Sequence, residues 1–144
     1  MEKKVVLVTG TGGNVGQGVL RNLKSLNLNI VVIGTDIASF TAGNHLCDFT
    51  YQVPYSYSED YISTIQSIIE KEKVNLIIPT TDYEIYYLAL HQSVLKTKVA
   101  TSDSETSKIY LDKYLTYLHH QKLQMTGFYL LMQMKEFQKR ISKK

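Results

Sequence analysis

Val5-Val6-Leu7-Val8-Thr9-Gly10-Thr11-Gly12-Gly13-Asn14-Val15-Gly16 runs four consecutive apolar residues straight into a cluster of glycines. An unbroken apolar run reads as a central strand sealed on both faces; strict alternation would mark a strand with one wet face. After the glycines, Val15, Val19, Leu23 and Leu26 recur at helical spacing and predict a buried stripe. The glycines therefore sit in a strand-to-helix turn. Glycine lets the backbone take positive φ and approach a ligand closely. The first-turn N–H groups of the next helix lack partners within it, and the helix dipole favours negative charge there. Gly10, Thr11, Gly12, Gly13, Asn14, Val15 and Gly16 are thus candidate anion-binding residues, with a pyrophosphate, phosphate or carboxylate as guest. The competing reading is a loop that only packs the helix tightly on the sheet, because folds keep such loops without a ligand. Asp36 lies 26 positions after Gly10 and also has two readings. It is an acid for ribose hydroxyls in a dinucleotide domain, or a surface turn acid.

Outward from this turn, short apolar runs alternate with helical periods, which marks stacked βα units and a parallel sheet. Ile30 to Ile33 is the second strand, and Phe49 to Val53 a weaker third that stops at Pro54. Ser58 is read as the cap of a helix with Glu59 and Asp60 in its first turn and Tyr61, Ile65, Ile68 and Ile69 as its buried stripe. Leu76 to Ile78 is the fourth strand, ended by Pro79, and Asp82 can cap a helix bearing Ile85, Leu88 and Ala89. Val99-Ala100 is a brief fifth strand. Leu111, Leu115 and Leu118 mark one further helix, and Leu130, Met134, Phe137 and Ile141 a last one. Right-handed crossovers then predict a Rossmann-like three-layer αβα fold with a mostly parallel five-stranded sheet, ordered 3-2-1-4-5.

The 144 residues suit one domain, and 44% apolar with 20% charged residues is ordinary for a globular chain. Cys47 is the sole cysteine, so no internal disulfide forms, which suits a reducing cytoplasm. No run approaches the roughly 18 apolar residues of a membrane helix, so no membrane partner is expected. The net charge is +3, and Lys139, Arg140, Lys143 and Lys144 place four positive charges at the end. A solvated tail explains them, and nucleic acid is not expected as a partner. His45, His91, His119 and His120 show no metal-ligand spacing, and no metal is expected. Eleven tyrosines, ten of them clustered at 51–61, 83–87 and 110–117, exceed what a small domain buries. They hint at self-association or at a neighbouring module.

The stretch Val8 to Gly16 resembles the start of extended short-chain dehydrogenases and their redox-sensor relatives. That resemblance implies NAD(P) in the loop. It covers only the first ~36 residues, and no lysine has a tyrosine four residues before it, the spacing of that family's catalytic pair. Tyr110 and Lys113 are three apart.

A second resemblance covers far more of the chain, about residues 4 to 123. Thr35-Asp36, Cys47-Asp48 and Val53-Pro54 are its first stretch; Leu76-Ile77-Ile78-Pro79-Thr80-Thr81-Asp82-Tyr83-Glu84 is its second; Leu111-Asp112-Lys113 is its third. In that order they resemble the N-terminal domain that precedes an ATP-grasp module in carbamoyl-phosphate synthase large subunits, biotin carboxylases and related carboxylate–amine ligases. The resemblance implies a pre-ATP-grasp domain over 1–127, with 128–144 as a divergent helix and basic tail. It adds Thr81, Asp82 and Glu84 to the candidate site, either meeting a substrate amine or neighbouring module, or capping the next helix. It places ATP and magnesium in a module of about two hundred residues whose motifs do not appear after Gly127. A truncated, frame-shifted or split ligase is expected, or a stand-alone domain. Such a chain is not catalytic alone. Its expected partners are a separately encoded ATP-grasp module or further copies of itself.

Overall fold

The computed structural model describes residues 3–123. Five strands, β1 (Lys4–Thr9), β2 (Ile30–Asp36), β3 (Phe49–Gln52), β4 (Leu76–Ile78) and β5 (Lys98–Val99), form one sheet in the order β3-β2-β1-β4-β5. All neighbours pair in parallel, with Thr9 opposite Thr35 and Leu7 opposite Ile77. The expected α/β class and strand order are those observed.

The sheet is covered on both faces, and the alternation of β1 says why its sequence is apolar throughout. Leu7 joins Ile33, Ile77, Tyr61, Ile65 and Leu88 in one core cluster. Its neighbours Val6 and Val8 join Val32, Leu20 and Leu46 in another. The first cluster is roofed by α2 (Tyr61–Glu72) and α3 (Asp82–Leu90), the second by α1 (Asn14–Ser25). Two compact units share the chain, one of residues 1–107 and one beginning at Lys108, with the boundary inside α4 (Ser104–Leu111). The expected domain boundary at 127 and the helix through Leu130, Met134, Phe137 and Ile141 lie outside the described residues.

Several local expectations are corrected. The α1 stripe is narrower than predicted: Leu20 and Gly16 are buried, while Val15 and Leu26 are exposed at 63% and 60%. Val15 sits in the helix's first turn, beyond the reach of the sheet. Strand β2 continues past Ile33 to Asp36, because Gly34, Thr35 and Asp36 pair with Thr50, Tyr51 and Gln52 of β3. Strand β3 itself ends at Gln52, and the fifth strand is Lys98–Val99 rather than Val99-Ala100. Ser58 does not cap α2: its carbonyl accepts from the Tyr61 N–H in a preceding turn, and Asp60 holds the cap position without a side-chain bond. Glu59 and Asp60 are therefore outside the helix. The helix through Leu111, Leu115 and Leu118 is two helices, α4 and α5 (Lys113–Lys122). Asp112 separates them, its carboxylate accepting from the Tyr114 and Leu115 N–H groups. Among the described residues no helix is long and apolar enough to cross a membrane.

Candidate functional site

The turn after β1 begins with Gly10 at φ +60°, which an L side chain rarely adopts. The next three backbone amides, of Thr11, Gly12 and Gly13, are bonded within the chain. Thr11 N–H donates to the Thr35 carbonyl at 3.2 Å, and Gly13 N–H to the Gly10 carbonyl at 3.1 Å. Gly12 N–H donates to Asp36 Oδ2 at 2.8 Å. The other Asp36 oxygen accepts from Ala38 N–H at 3.1 Å. The loop thus already holds an anion, the carboxylate that closes β2. Gly13 caps α1 without a side-chain bond, leaving Asn14 and Val15 exposed at its first turn.

Two further segments close on the loop. Gly43 lies so near Thr11 that a Cβ there would meet the Thr11 carbonyl oxygen at 2.1 Å, and Thr41 covers Gly12. Thr11 is consequently buried. On the other side, Thr80 Oγ1 donates to the Thr9 carbonyl at 2.6 Å. This clips the β4–α3 turn onto the loop. Gly16 is a packing position too: a Cβ on it would stand 2.3 Å from the Gly10 carbonyl oxygen.

Thr81, not Asp82, caps α3. Its hydroxyl accepts from Glu84 N–H at 3.3 Å and donates to Glu84 Oε2 at 2.7 Å. Thr-x-x-Glu is a capping-box spacing, and Asp82 is the exposed first residue of the helix. Glu84 is buried, and its Oε1 accepts from Tyr61 Oη at 3.3 Å. Burial pushes the Glu84 carboxyl above the ordinary carboxylate range; the hydroxyls of Thr81, Thr9 and Tyr61, in that order, oppose this, and the Asp36 charge adds to it. The Thr9 hydroxyl is sealed from solvent without a full hydrogen bond of its own. Burial also pushes the Tyr61 phenol upward, and the Glu84 charge adds to that.

A buried carboxyl whose pKa is raised takes up a proton on folding, so its contribution is full below the ordinary glutamate value near 4.5 and is lost as pH rises through the raised value. Glu84→Gln is therefore expected to gain stability over the natural chain as pH climbs from 5 to 8, with the two converging near pH 4. Urea midpoints across that range measure it, and parallel curves would show that Glu84 stays ionised in the fold.

These elements enclose a cleft of about 340 Å³ at the C-terminal ends of the strands. It sits where the chain order reverses between β1 and β4, the place where open α/β sheets bind ligands. Of the sequence candidates, Gly10, Gly13, Asp36, Thr81 and Glu84 line it together. Gly12 touches Asp36 from the loop. Thr11 and Gly16 are sealed in packing, and Asn14, Val15 and Asp82 are exposed outside the lining. Residue-by-residue reading missed Ile37, Tyr55, Ser56, Tyr57 and Tyr83, which complete the wall. Tyrosine clustering was the available signal. Cys47, partly buried, has its thiol pushed up to about 11 by burial, which disfavours the thiolate.

Among curated proteins none matches the chain by sequence. Solved structures share its fold. Glycinamide-RNase-transformylase T from Mycobacterium tuberculosis is 13% identical with a TM-score of 0.59, over 78% of this chain and 33% of that one. N5-carboxyaminoimidazole synthetase from Staphylococcus aureus, complexed with ADP, is 13% identical with a TM-score of 0.58, over 79% and 28%. dTDP-glucose 4,6-dehydratase from Bacillus anthracis, in complex with NAD, is 12% identical with a TM-score of 0.53, over 85% and 52%. The chain thus spans about a third of the first two and half of the third. At these identities the likeness speaks for the fold alone. Membership is carried by the family model described as PylC-like, N-terminal domain, which matches residues 6–101, from β1 through β5 and the whole cleft wall. The chain belongs to the PylC-like N-terminal domain family.

Proposed function

We propose that the chain is the substrate-side wall of a cytoplasmic carboxylate–amine ligase of the carbamoyl-phosphate synthase kind, inactive until an ATP-grasp module joins it. The observation that carries this reading is the Gly12–Asp36 bond. It gives the amide that would otherwise face a phosphate to the chain's own carboxylate, so the glycine turn braces the cleft wall. ATP and magnesium belong to the partner module. Among the described residues no group of three His, Cys, Asp or Glu is placed to hold a metal ion. What this chain supplies is position: a rigid strand-end cleft whose carboxyl and tyrosine groups orient one substrate while the module activates the other.

An NAD(P)-binding domain is the second reading, favoured by an acid at the end of β2 beside a glycine turn. The occupied loop amides weigh against it. Mixing the chain with the ATP-grasp module of a PylC-like ligase tests the first reading. Co-elution on gel filtration, with ADP release that needs both proteins, is expected; ATP hydrolysis by this chain alone overturns it.

A further inference from the structure

The cleft carries two acidic side chains, Asp36 and Glu84, and none of its lining residues is Lys, Arg or His. The chain as a whole is positive at +3, so the acid is concentrated here against the average. The rim is aromatic. Tyr57 and Tyr83 meet edge to face, with centroids 6.4 Å apart and planes at 71°. Tyr55 stacks on Tyr57 at 5.2 Å and 11°. All three rings are more than half exposed, so the core does not explain them. Rings set near a right angle form two walls of a corner, and aromatic faces attract cations.

We propose that this cleft binds an alkylammonium ion, its head in the corner of Tyr57 and Tyr83 and its countercharge supplied by Asp36, beside the buried Glu84 carboxyl. If the ligase reading above holds, the ion is the amine-bearing substrate; binding itself stands on the cleft. An ammonium brings three donors and needs acceptors. Each Asp36 oxygen accepts one chain N–H, from Gly12 and Ala38. Each Glu84 oxygen accepts one hydroxyl, from Tyr61 and Thr81. A carboxylate has about four acceptor sites, so Asp36 keeps lone pairs for the guest. A phosphate or carboxylate guest would meet the like charge of Asp36 in the same space. About 340 Å³ suits a small organic ion, at the low end of ligand pockets.

Calorimetry on the full chain with n-butylammonium chloride, n-butanol and sodium butyrate tests this. Butylammonium is expected to saturate in the millimolar range while the other two give no binding. Tyr83→Leu should weaken butylammonium about fivefold and Tyr83→Phe should leave it unchanged, because the ring face rather than the hydroxyl holds the ion. Tyr57→Leu supplies the same reading should the first variant fold poorly. Butanol binding as well as butylammonium, or leucine variants that match the natural chain, overturns the proposal. If butylammonium binds and the ATP-grasp module does not join, only the ligase reading falls. If the module joins and butylammonium does not bind, only the ammonium site falls.

Discussion

Gly16→Ala is expected to lose about 3 kcal/mol of stability, while Gly18→Ala two positions on gains about 0.5–1 kcal/mol. Both glycines lie in α1, so helix propensity favours alanine at each by the same amount. The surroundings differ. A Cβ at Gly16 stands 2.3 Å from the Gly10 carbonyl oxygen and 3.0 Å from Thr11 Cα, both backbone atoms that no rotamer change can move. A Cβ at Gly18 meets nothing within 4 Å. The first helical turn rests directly on the loop, and a methyl group between them must lift one from the other. For a chain of this size 3 kcal/mol corresponds to roughly 10 °C in Tm. Thermal melts of the two variants beside the natural chain measure the contrast. Equal effects would mean that the loop does not support the helix as described.

Asp36→Ala is expected to lose about 2–3 kcal/mol and, in exchange, to acquire phosphate binding. The carboxylate accepts from Gly12 and Ala38, and hydrogen bonds to a charged group contribute about 1.5–3 kcal/mol. Removing it frees the half-buried Gly12 N–H to face the cleft. It also removes a like charge that, about 4 Å from a phosphate and at an effective dielectric of 20, opposes each unit of guest charge by about 4 kcal/mol. Inorganic phosphate affinity should therefore rise tenfold or more in the variant, read by calorimetry. If Asp36 instead served ribose hydroxyls, the variant would gain nothing toward phosphate and would lose a dinucleotide the natural chain holds.

The architecture was legible because periodicity carries it. Val5 to Val8 had to be covered twice, and the structure divides them between two cores, Leu7 facing one and Val6 and Val8 the other. Short apolar runs ended by Pro54 and Pro79 located β3 and β4. Helix starts were less legible. Ser58 and Asp82 carry good capping side chains, yet the caps are Asp60 and Thr81, each chosen by where the chain leaves a turn rather than by its side chain alone. Thr81 could have been found, since Glu84 follows it at capping-box spacing. The Leu111 to Leu118 period hid a break because Asp112 interrupts the helix without disturbing the spacing.

In the cleft, the glycines, Asp36 and Glu84 were legible as polar or flexible residues at strand ends. The Gly12–Asp36 bond was not, because 24 residues separate its partners and only the parallel register of β1 with β2 joins them. Nor were Tyr55 and Tyr57, which reach the cleft from a turn between β3 and α2 that no period describes. Their number signalled exposure; their place required the fold.

Whether the loop is braced by its own carboxylate is read most directly from its amides. An amide NMR titration of the natural chain with NADPH, at concentrations up to the millimolar range, follows Thr11, Gly12 and Gly13 one by one. The expected result is three resonances that stay in place. A saturable shift of Gly12 with micromolar affinity would mean that a pyrophosphate displaces Asp36, and that the turn is a dinucleotide cradle.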